Sequence, residues 1–184
     1  MTKTKRLLLV SCLSISGFST AQGFTLSSPT IKANSTLTDA QVFSGFGCTG
    51  KNISPALTWK NAPKTAKSFA ITVYDPDAPT GSGWWHWLAY NIPTQTTSLE
   101  AGAGVVDSKL LPAGTVQGRT DFGNNAFGGA CPPVGDKPHR YIFTIHALNT
   151  DKIELPTDAS AAMIGYMLNA HRIAKASFTA KYGR

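Results

Sequence analysis

Two carboxylates, Asp75 and Asp77, stand where a strand is forced to end, in Asp75-Pro76-Asp77-Ala78-Pro79. An imidazole follows among indoles in Trp84-Trp85-His86-Trp87, and a second lies far along the chain in His139-Arg140-Tyr141. Carboxylates, imidazoles and a phenol can move protons, hold a metal or form the polar floor of an anion pocket. Few charges beside much aromatic bulk is the composition of a small walled pocket. Taken singly, each piece is weak. Asp75-Pro76-Asp77 alone reads as a turn whose side-chain oxygens accept backbone N–H groups. A lone histidine among tryptophans is more often a satisfied core residue than a ligand. His139 and Tyr141 share one face of a strand; Arg140 points the other way, where it suits an ion pair or packing.

The elements that must position these groups are mostly strands. Phe24 to Ser27 and Leu57 to Trp59 read as short ones, and Ser68 to Tyr74 as a strong one stopped by Pro76, which lacks a ladder donor. Trp84 to Asn91 follows, ended by Pro93; simple alternation puts His86 on a face with Trp84 and Leu88, opposite Trp85 and Trp87. Arg140 to Leu148 alternates clearly and Ser177 to Tyr182 weakly. One helix is predicted from Ala159 to Lys175, capped by Thr157 or Asp158. Its stripe of Ala162, Met163, Tyr166, Met167, Ala170 and Ile173 is expected to face the core. Short strands with turn signals between them predict a mainly β fold, an antiparallel sandwich with a helix packed near one end.

Composition narrows the function. At 184 residues, with 15% charged residues, 17 Gly and 11 Pro, the chain suits one strand-rich domain. Lys3, Lys5 and Arg6 precede the apolar run Leu7 to Phe18, and Ser19-Thr20-Ala21 supplies the small residues of a cleavage site. Residues 1–21 thus read as a signal peptide cleaved before Gln22, leaving a single domain over 22–184 in the periplasm or outside the cell. Leu9-Val10-Ser11-Cys12 resembles a lipoprotein box, but only five residues separate Arg6 from Cys12, so cleavage after Ala21 is preferred. Losing the three basic residues takes the formal charge from +7 to +4, with no basic run or basic–aromatic stripe for nucleic acid. Cys48 and Cys131 then remain, each in a Gly-rich loop, and export predicts a disulfide between them. Closing so long a loop is worth about 4–5 kcal/mol in the chain-entropy account.

In combination the motifs are specific. Asn52-Ile53-Ser54-Pro55, Asp75-Pro76-Asp77-Ala78-Pro79, Trp84-Trp85-His86, Gly128-Gly129-Ala130-Cys131-Pro132-Pro133 and His139-Arg140-Tyr141, in this order, resemble the phosphatidylethanolamine-binding proteins, also called Raf-kinase-inhibitor-like proteins. The resemblance covers nearly all of the mature chain and is to the bacterial YbhB/YbcL branch, the leader being similar to that of its exported members. It implies a Greek-key sandwich of antiparallel sheets with a few peripheral helices, one near the C-terminus. It also implies a small pocket for phosphate-like or phospholipid head-group anions, with no metal and no cofactor. Carried over, the pocket would be Asp75, His86, His139 and Tyr141, walled by Trp84 and by the Gly129 to Pro133 loop, including Pro132. Asp75 would orient a histidine and favour its charge, while imidazolium and phenol donate to the anion. Lys137 stands where many relatives have glycine, two residues before the histidine, so access to the pocket can differ.

Three functional readings follow. The first is an exported, non-enzymatic binding protein for phosphorylated small anions, with protein partners and a homodimer as further expectations. The second is a hydrolase-like or metal-dependent enzyme using Asp75, His86 and His139, since two histidines and a carboxylate form a legitimate ligand set. The third is a secreted effector or a protease or kinase inhibitor acting through its surface. Inhibition of an intracellular kinase of its own cell fits poorly with an export signal. No obvious nucleophile lies beside a base, which favours the first reading.

Overall fold

The computed structural model describes residues 23–184. The predicted signal peptide, its expected cleavage site and Cys12 lie outside the described residues. The strands are β1 (Thr25–Ser27), β2 (Ser44–Gly45), β3 (Cys48–Thr49), β4 (Leu57–Lys60), β5 (Ser68–Asp75), β6 (Trp84–Pro93), β7 (Ser98–Leu99), β8 (Val116–Gln117), β9 (His139–Leu148) and β10 (Arg172–Tyr182), with helix α1 (Ala161–His171) before the last. The predicted strands are present, and β10 begins well ahead of Ser177.

Two antiparallel sheets form the sandwich. The large one runs β10-β9-β5-β6-β8 and the small one β1-β4-β7, with β2 and β3 as a separate hairpin. Within the large sheet β5, β6 and β8 are successive neighbours and β9 returns beside β5, which is the Greek-key order. The main core lies between the sheets: Leu26, Leu57, Trp59 and Leu99 from the small sheet meet Phe69, Ile71, Val73, Phe143 and Ile145 from the large one. Period-2 alternation makes this possible in β4, β5 and β9, whose inward faces carry these apolar side chains.

The outer face of the large sheet is covered in part by α1, over a second cluster that includes Ala70, Leu88, Tyr90, Ile164 and Leu168. Here the sequence reading is corrected twice. The helix is shorter than predicted, capped by the Ser160 side chain accepting from the Met163 N–H, and its C-terminus passes directly into β10 at Arg172. The core stripe is Ala161, Ile164 and Leu168, whereas Met163, Tyr166 and Ile173 are exposed. Both stripes have helical spacing; the short helix leaves room under it for one apolar row, and the two branched side chains with Ala161 fill it. Among the described residues α1 is accompanied by a single 3-10 turn, Asp39–Gln41.

Candidate functional site

Where β5 ends, three strands deliver polar side chains to one cavity of about 180 Å³. β5 contributes Asp75, β6 Trp84 and His86, and β9 His139 and Tyr141, all lining it. Pro132 lines it with Cys131 and Pro133. Gly129 does not: it lies behind the wall, where an added Cβ would collide with the Gln41 carbonyl oxygen. Gly129 therefore allows close backbone approach instead of touching the cavity.

His86 owes its position to a bulge. Val73 pairs with Trp87 and Tyr74 with Trp85, so His86 is an extra residue without a β5 partner. A bulge shifts the phase of alternation. Trp87 consequently enters the main core and Leu88 the cluster beneath α1, so Leu88 does not share the face of His86 as simple alternation predicts. The His86 Nδ1 lies 2.7 Å from the Gly128 carbonyl oxygen. A carbonyl only accepts, so Nδ1 carries the hydrogen and donates. Burial lowers the pKa of His86 below the ordinary histidine value against the opposing pull of Gly128 and Asp75, favouring the neutral ring.

Asp75 is fully engaged. Its Oδ1 accepts from the Asp77 N–H at 2.8 Å, closing the Asp-Pro-Asp turn, and its Oδ2 accepts from His139 Nδ1 at 2.8 Å. His139 Nε2 lies 3.3 Å from Asp136 Oδ2. A carboxylate at each ring nitrogen favours hydrogen on both, the imidazolium form. Burial opposes that charge, but the hydrogen bonds and charges of Asp75 and Asp136 outweigh it and raise the pKa. Asp77 turns outward to the Arg140 guanidinium, at 2.7 and 2.9 Å, and this pairing lowers its pKa to about 2.

Tyr141 differs from its neighbours. Its hydroxyl is buried without any hydrogen-bond partner, while its ring stands edge-on to His86 with centroids 5.1 Å apart. Burial, then the charge of Asp75, raises its pKa, so it remains a phenol and a donor.

Several contributors were not assigned from sequence. Phe122 lines the cavity, edge-on to both Trp84 and His86, and exposed Phe46 stacks beside it. Asn52 accepts from the Gly129 N–H at 2.7 Å and fixes the wall from behind. Arg184 donates to the carbonyls of Pro132, Gly47 and Phe46, and the Cys48–Cys131 disulfide joins the same two loops. Asp136 is another, brought to His139 by the turn preceding β9. Among the described residues no three His, Cys, Asp or Glu side chains converge in a metal-ligating group.

A β-sandwich with this carboxylate–histidine–tyrosine floor defines a class. Residues 27–183 match the phosphatidylethanolamine-binding protein family, and the chain belongs to it. Among its relatives is YbcL of Escherichia coli, 54% identical over 179 residues, covering 97% of this chain and 98% of YbcL. YbhB of the same organism is 50% identical over 143 residues, covering 77% and 88%. The crystal structure of E. coli YbcL, described as a new member of the mammalian family, superposes with a TM-score of 0.86 at 56% identity, covering 88% of this chain and 98% of that one. A homologue from Chlamydia trachomatis superposes at 0.72 with 27% identity, covering 88% and 97%.

Proposed function

We propose that this chain is an exported binding protein whose β5–β6–β9 pocket holds a small phosphate-like group, either free or as a phospholipid or other phosphorylated head group. The Tyr141 hydroxyl carries the proposal. It is a buried donor with no protein partner, lining the cavity. An unpaired buried polar group costs free energy that a ligand oxygen recovers. His86 Nδ1 is committed to Gly128, so Nε2 is the ring atom left for the ligand; a protonated phosphate oxygen donates to it, or the anion draws a proton onto it. Asp75 acts indirectly, by holding charged His139 in place. The aromatic rim of Trp84, Phe122 and Phe46 suits the apolar part of an esterified ligand.

A binding role is favoured over catalysis because no activated nucleophile lines the cavity. Thr80 donates its hydroxyl to the Gly83 carbonyl, and Cys131 is held in the disulfide. Export to the periplasm is supported by the basic–apolar leader and is consistent with the disulfide.

Calorimetric titration with O-phosphoethanolamine and with inorganic phosphate at pH 6 and pH 8 tests the pocket. Affinity is expected to fall as pH rises, because binding takes up a proton at His86 or requires a protonated phosphate. Tyr141→Phe should weaken binding by about tenfold, the loss of one hydrogen bond to a charged group. Binding insensitive to both pH and Tyr141→Phe would refute the assignment.

A further inference from the structure

The outer face of the large sheet bears a second cavity, larger than the first. It measures about 520 Å³ and lies between α1 and strands β5, β9 and β10, in the size range of small-molecule sites. Its floor is read from the strand register. Trp85 pairs with Tyr74, and Tyr74 with Ile142, forming an apolar and aromatic row at one end. Thr72 pairs with Thr144 in a middle row, and His146 pairs with Lys175 at the other end, beside Arg172. From Ile142 to His146 is four residues, or about 13 Å along a strand.

The two ends differ in chemistry. At the aromatic end the Tyr74 and Trp85 ring centroids are 4.5 Å apart. At the other, Arg172 and Lys175 make no salt bridge among the described residues, and no Asp or Glu lines the cavity. Arg172 donates only to the neutral Asn169 side chain. His146 is 7% exposed; its Nε2 lies 3.0 Å from the Thr72 hydroxyl, and its Nδ1 is buried with no partner. Burial, reinforced by the two cations, lowers its pKa to about 3, so the ring is neutral. An orphaned buried nitrogen beside two unpaired cations lacks a polar ligand atom.

The helix leaves the space open. Ala162, Gly165, Tyr166 and Asn169 form the face of α1 that borders the cavity. Gly165 sits mid-helix, where glycine costs up to about 1 kcal/mol relative to alanine. Packing does not demand it: an added Cβ would meet Trp85 at 3.6 Å, an ordinary contact. The absent side chain keeps the approach to Trp85 clear.

We propose that this cleft is a second ligand site, taking a small aryl carboxylate with its ring against Trp85 and Tyr74 and its carboxylate toward Lys175, Arg172 and His146. It is independent of the phosphate pocket, which opens from the opposite face of the same strands. The aromatic row accepts a flat apolar body, and the cation pair supplies the charge that a neutral ring-containing molecule would leave unmatched.

The test is a two-dimensional 1H–15N NMR titration of the exported protein with 2-naphthoate, run beside the uncharged 2-naphthalenemethanol. Saturable shifts are expected at Thr144, His146, Gly165 and Lys175, with His86 and Tyr141 unmoved. The alcohol and the surface variant Arg172→Gln/Lys175→Gln should each bind about tenfold more weakly, one decade of affinity. Gly165→Leu, which fills the approach, should abolish the shifts while the unligated spectrum stays dispersed. Absence of saturation, shifts confined to the His86–Tyr141 pocket, or equal binding by the alcohol and by the charge-removed variant would each overturn the proposal. Prior saturation with O-phosphoethanolamine should leave the naphthoate shifts unchanged, so failure of one site is read separately from failure of the other.

Discussion

Strand β9 carries two histidines, seven residues apart and therefore on opposite faces, whose surroundings are inverted. His139 and His146 are almost equally buried, at 3% and 7% exposure. His139 lies between Asp75 and Asp136 and is held as imidazolium; His146 lies near Arg172 and Lys175 and is held neutral. Burial opposes charge on both rings; at His139 the two carboxylates outweigh it, and at His146 it prevails with the two cations adding to it. The same inversion divides the two cavities. The inner pocket is small, has its one carboxylate paired and is clamped by the disulfide and Arg184. The outer cleft is larger, has no acidic lining and borders a short helix with an exposed apolar face.

The largest expected effect separates the two regions mechanically. Replacing the disulfide with Cys48→Ala/Cys131→Ala should cost about 4–5 kcal/mol in urea unfolding, because the bond closes a long loop. Amide exchange should quicken in the loops holding Cys48 and Cys131 and stay unchanged in α1; equal loosening of both would dissolve the contrast. Next comes Asp75→Ala, which leaves His139 with only half-exposed Asp136. Breaking a buried pair costs about 3–5 kcal/mol. The folded pKa of His139 is raised, so its contribution is fully present below the unfolded value near 6.5 and disappears as pH rises through the folded pKa. The Asp75→Ala penalty should therefore be greatest in mild acid and shrink toward alkaline pH. A penalty independent of pH would mean that His139 is uncharged.

His146 should show the opposite sign. Its folded pKa is depressed to about 3, so below pH 6.5 the unfolded chain binds a proton that the native state refuses. Stability should fall by about 1.4 kcal/mol per pH unit from this group as pH drops from 6.5 toward 3. Comparing wild type with His146→Leu by denaturant titration at pH 7, 6, 5 and 4 isolates that slope; parallel curves would remove His146 from the account. The smallest effect is at the cleft wall. Gly165→Ala should stabilise the fold by about 0.5–1 kcal/mol through helix propensity, since the methyl fits against Trp85. A loss of thermal stability would show that the glycine is required by packing.

Much of this was legible in the residues. Alternation locates β5, β6 and β9, and prolines mark where the first two stop; the grouping of Asp75, His86, His139 and Tyr141 into one pocket comes from the family resemblance. Arg140 was correctly read as facing away toward an ion pair. Local pattern failed where tertiary contacts choose between equivalent answers. The His86 bulge has no local signature, so Leu88 was placed on the wrong face. In α1 two apolar stripes of equal period compete, and only the sheet beneath selects Ile164 and Leu168. Glycine richness marked the Gly129 loop but not which of its residues touches the cavity. His146 carried no motif; its significance depends on Lys175, twenty-nine positions later, facing it across the β9–β10 ladder.

The opposed charge states of the two β9 histidines distinguish the two cavities most directly. Long-range 1H–15N NMR of the imidazole rings, recorded from pH 5 to pH 8 on the ligand-free protein, reads both at once. The His139 ring nitrogens should both remain protonated well above pH 6.5, and His146 should keep a single neutral tautomer down to pH 5. Two rings titrating together near pH 6.5 would contradict this distinction.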